Sequence, residues 1–211
     1  MKLEQYIDHT LLKPIASAED IKRLCKEAIT NKFFAVCVNS VYVPLASHEL
    51  KGSDVKLAAV IGFPLGAMAT KVKMQEATYC IEQGADEIDM VINLGWLKSG
   101  AYSEVLEELK LIKAITKDRV LKVIIETCYL SDKEIVKASE LVVESGADFV
   151  KTSTGFGTGG ATFKDVALMK ATVGDKVKIK ASGGIRDRET ALKYVELGVS
   201  RLGTSSGTKI I

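Results

Sequence analysis

The sequence is poor in the residues that most often announce a function. Among 211 residues there are two histidines, one tryptophan and three prolines. His9 and His48 are far apart, and no group of side chains has metal-ligand spacing, so neither a metal nor a cofactor is expected. The four cysteines, Cys25, Cys37, Cys80 and Cys128, form no CxxC pair. That distribution suits reduced thiols in the cytoplasm better than a disulfide framework. No uninterrupted apolar run approaches the roughly 20 residues of a membrane span, and the opening MKLEQYIDHT lacks the apolar segment of a signal peptide. A soluble, cytoplasmic chain without a membrane partner is therefore expected. There is no lysine and arginine block interleaved with aromatics, and the formal net charge is only +2, so nucleic acid is not indicated as a partner. No Ser/Pro/Gly-rich linker divides the chain. With 47% hydrophobic and 27% charged residues it can bury a sizeable core, and it reads as one domain over residues 1–211.

What is present is repetition. EQGADEIDMVIN, ESGADFVKTSTG and ELGVSRLGTSSG each end a helical pattern at a glycine (Gly84, Gly146, Gly198) and start an apolar run a few residues later. Glycine suits the left-handed position just past a helix, so each phrase predicts helix, cap, strand. Further strands are predicted in YIDHT, FFAVCVN, VKLAAVIGFP, LKVIIET and KVKIKASGG. Stretches of helical spacing separate them, two of which begin with the N-cap candidates Ser17 and Ser131. Eight strands alternating with helices point to an α/β fold, a closed (β/α)8 TIM barrel. An open doubly wound sheet is the alternative that pattern alone leaves.

Parallel strands buried on both faces usually read as unbroken apolar runs, so their polar positions are informative. In EIDMVIN, Ile88, Met90 and Ile92 share the face turned to the helices, while Asp89, Val91 and Asn93 face into the barrel. The same alternation turns Lys151, Lys180, Lys122 and Glu126 inward. One such charge alone would read as an interior ion pair. Charges on four strands, with Asp89, Lys151 and Lys180 near the C-terminal ends where barrel active sites lie, read as a site. Cys37, and His9 within DHT, are also placed within reach of it, although a hydrogen-bonded structural role suits His9 as well.

The chemistry follows from lysine. With no base beside a serine or cysteine, a neutral amine attacking a carbonyl is the nucleophile that remains. At an ordinary pKa of ~10.4 about one lysine in a few thousand is neutral at pH 7, and reaching ~7 takes roughly 4.6 kcal/mol. Desolvation of Lys151 and the nearby charge of Lys180 both act in that direction, and Asp89 can hold one lysine charged while the other loses its proton. Two glycine-rich turns, ASGGIRD and LGTSSGT, follow the last two strands. Barrels commonly bind phosphate there, so a phosphorylated substrate is expected.

Taken together, IDHTLLKP, VIGFPLG, EIDMVIN, KVIIET, FVKTSTGF, IKASGGIR and RLGTSSG make nearly the whole chain similar to the deoxyribose-phosphate aldolases, class I enzymes of the DeoC type. The resemblance implies reversible cleavage of 2-deoxy-D-ribose 5-phosphate to glyceraldehyde 3-phosphate and acetaldehyde, within deoxyribonucleotide catabolism. It implies Lys151 as the Schiff-base lysine, Lys180 as the second lysine and Asp89 as the proton-relay carboxylate. Phosphate contacts fall by resemblance on Gly155, Gly183, Gly184, Gly203, Ser205 and Ser206. Phe156 stands where some members have a phosphate-contacting lysine, and the sequence stops at GTKII without a tyrosine-ended tail. The resemblance thus leaves the final proton carrier open, water held by Asp89 and Lys180 being one candidate. Two alternatives stay open, a Schiff-base aldolase or transaldolase acting on another sugar phosphate and a sugar-phosphate-binding barrel without catalysis. The sequence leaves room for a homo-oligomer.

Overall fold

Eight short parallel strands pair in sequence order and close on themselves. They are β1 (Ile7–Leu11), β2 (Ala35–Asn39), β3 (Lys56–Ile61), β4 (Glu87–Val91), β5 (Val120–Ile124), β6 (Phe149–Lys151), β7 (Lys178–Ser182) and β8 (Arg201–Thr204), with β8 back against β1. This computed structural model describes residues 2–211. The helices outside the barrel are α1 (Ala18–Thr30), α2 (Val43–Glu49), α3 (Thr70–Glu82), α4 (Leu94–Ser99), α5 (Tyr102–Thr116), α6 (Asp132–Ser145), α7 (Phe163–Val173), α8 (Arg188–Glu196) and α9 (Gly207–Ile210). The closed barrel replaces the open sheet as the answer to the αβ repeat.

Local chemistry fixes the joints. Ser17 with Asp20 and Ser131 with Glu134 form capping boxes that start α1 and α6, each satisfying two otherwise orphaned donors. Asn93, Thr162 and Asp187 cap α4, α7 and α8. The glycines of the repeat sit at φ +104° (Gly84), +78° (Gly146) and +89° (Gly198), where a side chain would be strained.

Strict alternation along the strands separates two interiors. Val36, Val38, Leu57, Ala59, Ile61, Ile88, Met90, Leu121, Val123, Val150 and Ile179 pack outward into the layer between barrel and helices. Inside the barrel, Leu12, Cys37, Ala58 and Val60 form a separate apolar cluster on the β1–β3 side, with Phe63 against it. The β4–β8 side of the interior is charged. Asn93, expected beside Asp89, caps α4 instead: its side-chain oxygen accepts from Trp96 N at 3.1 Å. His9 points away from the barrel interior, and its Nε2 lies 2.8 Å from Glu27 on α1. His48 is exposed on α2.

Candidate active site

Four neighbouring strands bring the charges together. Register places Asp89 of β4 beside Lys122 of β5, and Lys151 of β6 beside Lys180 of β7. The Asp89 carboxylate is fully buried and accepts from all three lysines: Oδ1 from Lys122 Nζ at 2.8 Å, Oδ2 from Lys151 at 2.7 Å and Lys180 at 2.8 Å. Asp8 of β1 closes the ring, with Oδ2 at 2.5 Å from Lys180 Nζ and 3.8 Å from Lys122. Deeper in the barrel, Glu87 lies 2.5 Å from Lys122 and 3.4 Å from Arg201, whose Nε is 3.3 Å from Asp8. The Arg201 guanidinium rests on the Phe34 ring, 3.2 Å from its centroid.

These neighbours do not treat the lysines alike. Burial lowers the pKa of Lys180, but Asp8 and Asp89 more than reverse that and raise it above the ordinary value, so it stays an ammonium. Lys122 is raised in the same way, burial being outweighed by its carboxylates. Lys151 is lowered: burial is the main cause, the charge of Lys180 adds to it, and Asp89 compensates only in part. Burial pushes the Asp89 carboxyl up, yet Lys122, Lys151 and Lys180 together hold it well below its usual range. The Cys37 thiol is pushed up, chiefly by burial, which keeps it protonated and unreactive.

A cavity of about 370 Å³ opens at the C-terminal ends of the strands. Lys151 lines it, together with Gly155 and Phe156 after β6, Gly183 and Gly184 after β7, and Gly203 and Ser205 of β8 and its loop. Asp89 and Lys180 lie behind Lys151, with no exposed surface. Ser206 is not on the wall; it precedes α9, and its backbone N donates to Thr204 Oγ1 at 2.9 Å. Gly203 has a second reason to lack a side chain, since a Cβ there would stand 2.8 Å from Ser182 Cβ and 3.1 Å from Lys180 Cε. Phe156 meets Phe63 edge-on at 5.3 Å, which makes this edge of the mouth apolar.

Several charged side chains of the interior and the cavity escaped the strand reading. Asp8 was hidden by its neighbours: in YIDHT the adjacent polar residues Asp8 and His9 leave the inward parity ambiguous. Glu87 and Arg201 stand at strand starts, where a charge also reads as solvated. Lys13 and Arg186 line the cavity as exposed cations without an ion pair among the described residues.

Comparison with known proteins places the chain in a family and matches its fold. The DeoC/LacD family aldolase model matches residues 2–210. The deoxyribose-phosphate aldolase of Carboxydothermus hydrogenoformans is 58% identical over 214 residues, covering 100% of this chain and 94% of that one. That of Finegoldia magna is 56% identical over 211 residues, covering 100% and 99%. The structure of deoxyribose phosphate aldolase from Aeropyrum pernix, described as tetrameric, superposes with a TM-score of 0.89 at 37% identity, covering 99% of this chain and 88% of that one.

Proposed function

The chain belongs to the DeoC/LacD family of aldolases, and from that premise we propose that it cleaves 2-deoxy-D-ribose 5-phosphate to D-glyceraldehyde 3-phosphate and acetaldehyde, reversibly, through a Schiff base on Lys151. The observation that carries the assignment is a difference among three buried lysines. Lys122 and Lys180 each touch two or more carboxylates, whereas Lys151 touches Asp89 alone and is the one that lines the cavity. It is the amine that can be neutral and can be reached.

The steps follow from these positions. Neutral Lys151 Nζ adds to the aldehyde carbon of the open-chain sugar, and loss of water from the carbinolamine leaves an iminium. Deprotonation of the C3 hydroxyl breaks the C2–C3 bond, whose electron pair moves into the iminium to give an enamine and releases glyceraldehyde 3-phosphate. Protonation of the enamine at C2 restores an iminium, and its hydrolysis takes up one water, replacing the one lost earlier, to free acetaldehyde and the Lys151 amine. Asp89, linked to Lys151 and Lys180 through one oxygen, is placed to pass protons among amine, water and substrate, and charged Lys180 keeps it ionised between transfers. We assign the phosphate to the end of the cavity lined by Gly155, Gly183, Gly184, Gly203 and Ser205, with Ser206 behind them. Lys13 and Arg186 supply there the positive charge that Phe156 does not.

Cytoplasmic location and assembly as a homo-oligomer belong to the same proposal; among the described residues no helix is long and apolar enough to cross a membrane. Light scattering checks the assembly, a 22.8 kDa monomer being the contrary result. The activity is tested by incubating the protein with 2-deoxyribose 5-phosphate and measuring both products. Equimolar acetaldehyde and glyceraldehyde 3-phosphate are expected. Release of dihydroxyacetone from a longer sugar phosphate, with none of these products, would move the chain to another Schiff-base reaction.

A further inference from the structure

Glu126 lies just beyond β5 in a left-handed conformation, φ 52° and ψ 66°, that residues with a side chain disfavour. The residue is 2% exposed, yet among the described residues no ammonium or guanidinium pairs with its carboxylate. A buried carboxylate without a cation is costly unless its oxygens accept hydrogen bonds. Both oxygens do so from one residue of the next βα loop: Oε1 from Thr154 N at 3.1 Å, Oε2 from the Thr154 hydroxyl. That hydroxyl in turn accepts from Phe156 N at 3.0 Å. Beside it Thr127 N donates to Thr152 O at 2.9 Å, and Gly157 crosses so close that a Cβ there would stand 2.8 Å from Cys128 Sγ and 3.3 Å from Glu126 Cδ.

The loop so held follows Lys151 and contains Gly155, Gly157, Gly159 and Gly160, a composition with little conformational preference of its own. Its far end is tied to β7, where Ala161 N reaches the carbonyls of Ser182 and Gly183 at 3.0 and 3.1 Å. Glu126 is the side-chain anchor on the β5 side. Between the two anchors the loop delivers Gly155 and Phe156 to the cavity wall, opposite the turns of Gly183, Gly184 and Ser205.

We propose that Glu126 is a positioning residue for phosphate recognition: through Thr154 it fixes the glycine-rich loop after Lys151, and so sets the width of the phosphate end of the cavity. The inference rests on the function proposed above. It separates grip on the phosphate from chemistry at Lys151, which is held independently by Asp89.

Glu126→Ala is expected to raise KM for 2-deoxyribose 5-phosphate by about tenfold or more, with KM for unphosphorylated 2-deoxyribose and kcat changed less than about threefold. Glu126→Gln keeps one acceptor for Thr154 N and should recover part of the loss. Thr154→Val removes the hydroxyl that joins Glu126 to Phe156 and should show the same split, so it carries the test if Glu126→Ala does not fold. The double variant should be little worse than the poorer single one, because both break one connection. An unchanged ratio of the two KM values, or fully additive losses, would overturn the inference while wild-type cleavage stands. A wild type that turns over neither substrate and forms no adduct with acetaldehyde would overturn the proposed function itself.

Discussion

Lys151 differs from the other interior cations in how its charge is matched. Asp8, Glu87 and Asp89 supply three carboxylates, against Lys122, Lys180, Arg201 and Lys151. One positive charge is in excess, and the proton on Lys151 is the one whose loss balances the interior with least disruption. Lys180→Leu removes a neighbouring charge and leaves Asp89 freer to hold the Lys151 ammonium. The pH midpoint for adduct formation with acetaldehyde should therefore move up, with slow reaction at pH 7 and partial recovery at higher pH. Rates followed by mass spectrometry check this, and an unshifted midpoint would leave burial as the sole cause of the lowered pKa. Asp89→Asn should lower kcat by roughly 10² or more. It should also destabilise the fold by about 3–5 kcal/mol, since two ammoniums with no exposed surface then lose a counter-charge. Steady-state kinetics and denaturant melts read the two effects separately. At this scale Asp89, Lys151 and Lys180 were legible because each interrupts an apolar strand, whereas Asp8 was not, since it stands beside further polar residues in its strand.

The elements that matter most are the βα loops, because each strand end delivers one part of the site and the loop after it delivers another. β8 shows how little slack there is. Gly203→Ala would press on Ser182 and on the stem of Lys180, so a drop in kcat of about tenfold is expected, as displaced catalytic groups produce, with Schiff-base formation measured in single turnover slowed alongside. Ser205→Glu places a carboxylate on the cavity wall and should raise KM for the phosphorylated sugar at least about tenfold more than for 2-deoxyribose. Equal changes for both sugars would move the phosphate elsewhere. The helix-cap-strand joints at Gly84, Gly146 and Gly198 could be read directly, since a positive φ after a helix favours glycine strongly. The loops were less legible. Glu126 followed strand parity only until β5 ended, after which its own left-handed backbone decided where the carboxylate went. Asn93 departed for a comparable reason, its side chain serving the first turn of α4.

For the whole molecule, closure of the barrel turns separate strand patterns into one charged interior, which couples stability to pH. Burial raises the carboxyl pKa values of Asp8 and Asp89, but the surrounding cations lower both below the ordinary 3.8. The stability they contribute is present above that value and is lost as pH falls through the lowered folded values. Asp8→Asn should therefore melt at a lower temperature than wild type at neutral pH but lose less on acidification below about pH 4. Parallel melting curves would contradict this. The αβ alternation announced the barrel, but its closure rests on β1 meeting β8, a contact between the two ends of the chain that no local pattern contains. The central claim, that Lys151 is the amine that attacks, is tested most directly by borohydride reduction in the presence of acetaldehyde followed by peptide mass mapping. A single reduced two-carbon adduct on Lys151 is predicted. An adduct on Lys180 or Lys122 instead, or on no lysine at all, would contradict the account.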